Sequence, residues 1–446
     1  MAKAELPAWY LALVVWAAAV APGRLGAQVG APTGGASSGG APSTVESDSL
    51  PGSHLAISLM TIGPGDAVWE RFSHNAMVIR DDRARTEVAY NWGIFDFNDS
   101  DFILRLARGR MRYSMRSFSA SALLDEYRST NRDVWVQPVN LTPGERLELQ
   151  VMVQELDTDA NRYYRYDYYR DNCSTRVRDV LDRVLGGQIR AATEDTDTGT
   201  TYRWHTARLL QSLAAPYAGI QFVVGNRGDE MISAWEEMFL PLRLKEHLEG
   251  VRIVDAEGEP NPLLGETMQV VEAVRDPVPL AAPDFLFPLL LLGTALGAFF
   301  SGLGRVASAG KRWGRWVLAL SGAAFSTAVG LLGTALPLSW FFTDHVFWAV
   351  NENAFQANPV SLVLAVGLGV VFFREVLNRS QRQAGVWAGI RVEAVAKVVV
   401  GLAIAGFFVQ VLPGFDQVNG EVLAVLLPAH VGLAWGVLRA WPPSMA

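Results

Sequence analysis

Apolar positions change their spacing along this chain, and the change divides it. Between Phe285 and Trp441 they run almost unbroken in five stretches: Phe285–Gly304, Trp316–Phe342, Val360–Phe373, Val392–Leu412 and Val422–Trp441. A helix needs about 20 apolar residues to cross a hydrocarbon core of roughly 30 Å. Residues 284–441 are therefore expected to form an α-helical transmembrane bundle of about five helices. The third stretch is short and must recruit Ala357–Pro359, tilt, or thin the bilayer. Ahead of these stretches, 53–275 shows the mixed short periods of a soluble α+β domain.

Within that domain His54–Ile62 alternates as a strand does. Phe72–Arg80 and Glu87–Trp92 read as two further strands joined by the polar turn Asp81–Arg85. Helices are expected over Asp101–Arg108 and Phe118–Thr130, and a strand over Val134–Leu141. Thr142, Pro143 and Glu145 make a capping box with proline at the first helical position, so a helix runs from there to about Leu156. Val177, Val180, Leu181, Val184 and Leu185 then repeat at helical spacing, with Asp171 or Asn172 as the cap. Gly186 and Gly187 end that helix.

The N-terminus has the pattern of an export segment. Lys3 precedes the apolar run Trp9–Ala21, and Leu25-Gly26-Ala27 is a small-residue cleavage context. Residues 1–27 are expected to be a signal peptide, with an uncleaved anchor as the alternative. Residues 28–52 are nearly all Gly, Ala, Ser, Thr and Pro and cannot bury a core, so they read as a flexible linker. Charge between the apolar stretches alternates. Arg305, Lys311, Arg312 and Arg315 follow the first, and Arg374, Arg379, Arg382 and Arg391 follow the third. The positive-inside rule puts both basic loops in the cytoplasm. The soluble domain then lies outside it, where the export segment would also send it. Glu393 and Lys397, four apart, can pair along one helix face, but their place near the cytoplasmic end favours anchoring. For His430, mid-helix, an interhelical hydrogen bond is the simplest use and a functional role the alternative.

Net charge is -7 and no long basic tract exists, which excludes nucleic acid as a natural partner. The chain holds one cysteine, Cys173, so it can form neither an internal disulfide nor a multi-thiolate metal site. Asp96, Asn98 and Ser100 have calcium-loop spacing, but Asp101 stands where that loop needs glycine, so neither metal nor cofactor is expected. Cys173 falls in the first turn of its helix. Unpaired backbone N–H groups and the helix dipole there favour a thiolate and a developing oxyanion. A thiol nucleophile needs a base. Of six histidines, His74 is best placed, in a strand whose pairing across the turn brings Asn91 or Trp92 opposite it. An Asn91 amide would orient the imidazole as the third member of a triad does. The bland alternatives are a small buried cysteine, a satisfied core histidine and a turn-bonding asparagine. His205, between Arg203 and Arg208, reads as part of a solvated face.

The ordered motifs resemble a known family. They are Gly63-Pro64-Gly65, Trp69, Phe72-Ser73-His74, Tyr90-Asn91-Trp92-Gly93, Phe95-Asp96-Phe97, Gly109-Arg110, Asn131-Arg132, Tyr166-Asp167-Tyr168, Asp171–Arg176 and Trp235–Pro241. Over Leu55–Leu248 they are similar to the Lnb-type N-terminal periplasmic domain. Thr343-Asp344-His345, Asn351, Asn353 and Pro359 resemble that family's membrane region. The resemblance implies a permuted papain-like fold with histidine before cysteine, and lipoprotein N-acyltransfer. An acyl chain leaves a lipoprotein's diacylglyceryl group, forms a thioester on Cys173 with His74 as base, and passes to an amine. Membrane lipid or bacterial lipoprotein would be the substrate, at the inner (cytoplasmic) membrane with the catalytic domain on the periplasmic side. Asn172, Tyr166, Asp167 and His345 are the expected substrate contacts, with packing the alternative for the tyrosine and an interfacial role for His345. A cysteine amidase or peptidase on cell-wall peptides and a non-catalytic membrane scaffold are the rival readings.

Overall fold

The computed structural model describes residues 50–96, 98–254, 258–377 and 391–442. The export segment expected at 1–27, the linker as far as residue 49, and Arg379 and Arg382 lie outside the described residues. The described chain separates into two units, one of 50–107, 111–196 and 234–276, the other of 108–110, 197–233 and 277–442. The soluble region expected over 53–275 is thus not one body: 108–110 and 197–233 cluster with the apolar helices.

The first unit is built on a seven-stranded antiparallel sheet. Its strands are β1 (Leu55–Ile62), β2 (His74–Asp81), β3 (Thr86–Ile94), β4 (Arg112–Ser119), β5 (Val134–Pro138), β6 (Tyr163–Arg165) and β7 (Met268–Val271). Their order is β7-β5-β1-β2-β3-β4-β6. Alternation sends Leu55, Ile57, Leu59, Met77, Ile79, Tyr90 and Trp92 to one face. There they meet α3 (Pro143–Leu156), α4 (Cys173–Val184) and α5 (Pro241–Gly250) through Leu149, Val177, Leu181, Leu244 and Leu248. Each such aliphatic side chain contributes about 1.5–3 kcal/mol by leaving water. Met60, Ile62, Ala76, Val78 and Ala89 face the other way, against Leu123 and Tyr127 of α2 (Ala120–Ser129). The short helix α1 (Phe102–Ala107) precedes β4.

The expected elements are present with shifted edges. Val68–Phe72 is a 3-10 turn, so β2 starts at His74 instead of Phe72. Strand β4 was not expected at all, and helix starts only at Ala120. The Thr142 capping box forms: Glu145 N–H donates to Thr142 Oγ1 at 3.3 Å, and Thr142 N–H to Glu145 Oε2 at 2.7 Å.

The second unit contains five helices long and apolar enough to cross a membrane: Leu286–Ser308, Arg312–Phe342, Asn353–Val376, Val392–Val411 and Gly420–Ala440. The third reaches full length by including Asn353–Gln356 ahead of a break at Ala357–Pro359. Glycines let backbones touch, as small residues do between membrane helices. A Cβ at Gly297 would lie 2.4 Å from the Pro428 carbonyl, and one at Gly432 2.1 Å from that of Gly297. Segment 197–233 joins this unit by hydrogen bonds. Asn351 Nδ2 donates to the carbonyls of Phe222 and Val223 at 3.0 and 2.9 Å, and Tyr217 Oη to Glu421 at 2.9 Å. Glu393 pairs with Arg391 of the capping turn at 3.2 Å, and among the described residues not with Lys397, the pairing their spacing allows. His430 Nε2 donates to the Gln356 carbonyl at 2.8 Å, the simple interhelical use. His205 is fully buried, between Thr200 Oγ1 and Arg208 Nε at 3.0 and 3.1 Å, so its helix does not present it to solvent.

Candidate active site

Cys173 is the first residue of α4, and Asn172 is its cap. Asn172 Oδ1 accepts from the N–H groups of Ser174 and Thr175 at 2.9 and 3.0 Å. Its Nδ2 donates to the carbonyls of Tyr168 and Phe239, both at 3.0 Å. Ser174 Oγ donates to the Met238 carbonyl at 2.7 Å. The head of α4 is thereby fixed to 238–239. All hydrogen-bonding capacity of the Asn172 amide is occupied, so it positions the nucleophile and leaves nothing over for the substrate contact expected of it.

The sulfur meets the sheet where two strands part. Asp82 N–H donates to the His54 carbonyl, which fixes the alternation: even residues of β2 bond to β1, odd ones point to β3. Pairing of β2 with β3 ends at Ala76 opposite Asn91, and β3 bulges beyond it, with Gly93 at φ 91°. Asn75 N–H is left facing the gap, and it points at Cys173 Sγ. Position 93 favours glycine because its backbone is left-handed, and a Cβ there would meet that of Cys173 at 3.5 Å, an ordinary contact. An isolated glycine within a strand pattern was the available signal for this bulge.

His74 and Asn91 lie on the sheet face that carries Ala76 and Ala89, diagonal to one another. The register places Gly93, and not Asn91 or Trp92, next in line opposite His74. The diagonal still joins them: His74 Nε2 donates to Asn91 Oδ1 at 3.0 Å. That bond assigns the ring proton to Nε2 and leaves Nδ1 as the basic lone pair. Among the described residues no hydrogen bond joins the ring to the thiol. Asn75, whose N–H faces the sulfur, adjoins His74 in the chain.

Burial pushes the Cys173 thiol up to about 11, outweighing the N–H groups of Asn75, Ser174 and Cys173 itself and the Arg132 guanidinium. Burial likewise pulls His74 down to about 4; the Asn91 bond opposes this and Arg132 adds to it. The resting pair is therefore neutral thiol and neutral imidazole, not the thiolate expected from the helix head alone. Two N–H dipoles of one turn do not replace the water that the sulfur loses. Arg132 was legible only as one member of a motif. It is buried, donates from Nε to the Gly63 carbonyl at 2.9 Å, and lies 3.6 Å from Glu70. Alkylation provides a check. At pH 7 a thiol of this kind is ionised only to about 1 part in 10⁴. Iodoacetamide labelling of Cys173 in the folded protein should rise about tenfold per pH unit from 7 to beyond 9. A labelling rate level across that range would mean a resting thiolate.

Tyr166 stacks on Tyr113 (centroids 4.1 Å apart) and Tyr113 on Phe95 (4.9 Å), a row of rings in the same unit as Cys173. Burial foremost, and next the Cys173 charge, raise the Tyr166 hydroxyl well above its ordinary value. Asp167 closes a turn, accepting from the N–H groups of Tyr169 and Arg170 at 2.9 Å each. That use of Oδ1 is structural. His345 belongs to the other unit; it is buried and stacks on Trp348 at 3.9 Å.

Residues 43–212 match the family model described as the Lnb N-terminal periplasmic domain. No curated protein and no solved structure matches the chain.

Proposed function

We propose, on the premise that residues 43–212 carry an Lnb N-terminal periplasmic domain, that this multi-pass membrane protein is a cysteine acyltransferase. It moves an acyl chain from a lipid ester, such as the diacylglyceryl group of a lipoprotein, through a thioester on Cys173 to an amine. One observation carries this reading: the chain's only thiol heads a rigidly capped helix, against the strand whose imidazole is oriented by Asn91. In the first half-reaction His74 Nδ1 takes the thiol proton as sulfur attacks the ester carbonyl. The tetrahedral oxyanion forms beside the Cys173 and Asn75 N–H groups, and His74 returns the proton to the departing glyceryl oxygen. In the second the amine attacks the thioester, His74 takes its proton, and the thiol is restored. Because both groups rest neutral, proton transfer accompanies attack.

The site belongs to an inner-membrane protein with its soluble unit on the periplasmic side, in a permuted papain-like arrangement. Tyr166, Tyr113 and Phe95 offer an aromatic wall that suits an acyl chain better than a peptide stem. Five apolar helices hold the enzyme in the bilayer where ester lipids reside, which supports lipid over a cell-wall polymer. Mass spectrometry of lipoprotein N-termini tests the reading. Cells expressing the protein should carry N-acylated lyso-lipoproteins, and cells lacking it free α-amines with both ester chains. Unchanged lipoprotein termini, with new cleavage of cell-wall peptides, would favour the amidase instead.

A further inference from the structure

Three strands of the first unit end together beside His74. β1 stops at Ile62, whose cross-strand partners are His74, the first residue of β2, and Val134, the first of β5. Ile62 and Val134 share the sheet face of Ala76 and Tyr127, the face that carries His74 and Asn91. Arg132 lies two residues before Val134, so alternation sends it the same way. Its guanidinium carbon stands 5.1 Å from the centre of the Tyr127 ring.

Arg132 grips both ends of the segment that leads into His74. Nε donates to the Gly63 carbonyl at 2.9 Å, and Nη1 lies 3.6 Å from Glu70 Oε1. Gly63 N–H in turn donates to the Asp133 carbonyl at 2.9 Å. Glu70 organises the turn Val68–Phe72. Its Oε2 accepts from Ala67 N–H and its carbonyl from Ser73 N–H, both at 3.0 Å. Ser73 then adopts φ 71° and ψ -170°, a conformation ordinarily left to glycine. Such backbone persists only where its surroundings over-determine it, and the residue it delivers is His74. Asn131, just before Arg132, is also left-handed, at φ 51°. It is held in place by Val274, which accepts from Asn131 Nδ2 at 3.0 Å and donates to Oδ1 at 2.9 Å.

The clamp carries a charge. Arg132 is 5% exposed, whereas the Glu70 side chain is 31% exposed. At 3.6 Å from a partly solvated carboxylate the cation keeps part of its field. The titratable and charged groups that share that field are Glu70, Tyr127, Arg275, Cys173 and His74. A fixed cation disfavours a second positive charge and favours a negative one.

We propose that Arg132 is a positioning residue of this site: it clamps the strained turn that delivers His74 and holds a positive charge on the face where sulfur and the oxyanion become negative. Its part in acyl transfer rests on the function proposed above; the clamp and the charge do not.

Iodoacetamide labelling of Cys173 in the full chain separates charge from clamp, because two substitutions break one ion pair with opposite changes of charge. Arg132→Met removes the cation, and labelling at pH 8 should slow about fivefold. Glu70→Gln leaves the cation unopposed, and labelling should quicken about twofold. Arg132→Lys keeps the charge, loses the fork, and should label within about twofold of the parent. A residue that only braced the loop would move all three rates the same way; that result, or three unchanged rates, would overturn the proposal. Should Arg132→Met fail to fold, slower labelling in Glu70→Gln would overturn it alone. In acyl transfer Arg132→Met should lower kcat about tenfold with KM little changed, and Arg132→Lys should recover part of the loss. Opposed labelling shifts in a protein that transfers no acyl chain would dismiss the acyltransferase and uphold the charge. Transfer by the parent with parallel shifts would do the reverse.

Discussion

Replacing Cys173 with alanine is expected to abolish acyl transfer, lowering kcat by about 10⁴-fold or more, while the protein stays folded in membranes. Nothing else in the chain can substitute, because no second cysteine exists. His74→Ala should cost nearly as much. With the thiol held up at about 11, sulfur depends on the imidazole to take its proton during attack, and a thiolate is not waiting at neutral pH. For the same reason the double variant should be little worse than either single one, as happens when two groups act as a unit. Initial rates with a lipid ester and an amine acceptor, on variants whose far-ultraviolet spectra match the parent, decide this. Transfer within tenfold of the parent in either single variant would dismiss the dyad.

The second large effect concerns stability. Asn172→Ala removes the two bonds accepted from Ser174 and Thr175 and the two donated to the carbonyls of Tyr168 and Phe239. Loss of a cap costs about 1 kcal/mol and each further hydrogen bond lost about 0.5–1.5 kcal/mol. The expected loss is roughly 3 kcal/mol, read as a lower denaturant midpoint of tryptophan fluorescence. Asn172→Asp keeps the accepting bonds and loses only the donated ones, so it should fall between. An alanine variant as stable as the parent would show that the head of α4 is held by something else.

Much of this architecture was legible. Alternation in Leu55–Ile62, the capping box at Thr142, and the spacing of Val177, Val180, Leu181 and Val184 are local signals, and the elements they specify formed where expected. Asn172 was legible as a cap because its preference is a property of one helix end. What escaped depends on distant chain. Strand β4 is mostly Arg and Ser, with polar residues at both parities, and becomes a strand because β3 and β6 flank it. The bulge at Gly93 shifts the histidine's opposite number, yet the diagonal bond to Asn91 survives. His205 looked solvated because arginines flank it, but Arg203 is itself buried and paired with Asp229 at 2.7 Å. The thiol's state was misjudged for a related reason. A helix dipole can be read from a few residues, whereas the burial that outweighs it is made by the sheet.

The central claim is that an acyl group rests on the sulfur of Cys173. Intact-protein mass spectrometry after mixing the enzyme with a lipid ester, with the amine acceptor withheld, addresses it most directly. An added acyl mass on the peptide containing Cys173, released by neutral hydroxylamine and absent from Cys173→Ser, is the expected result. Acyl transfer that proceeds at full rate with no hydroxylamine-sensitive adduct on that peptide would contradict it.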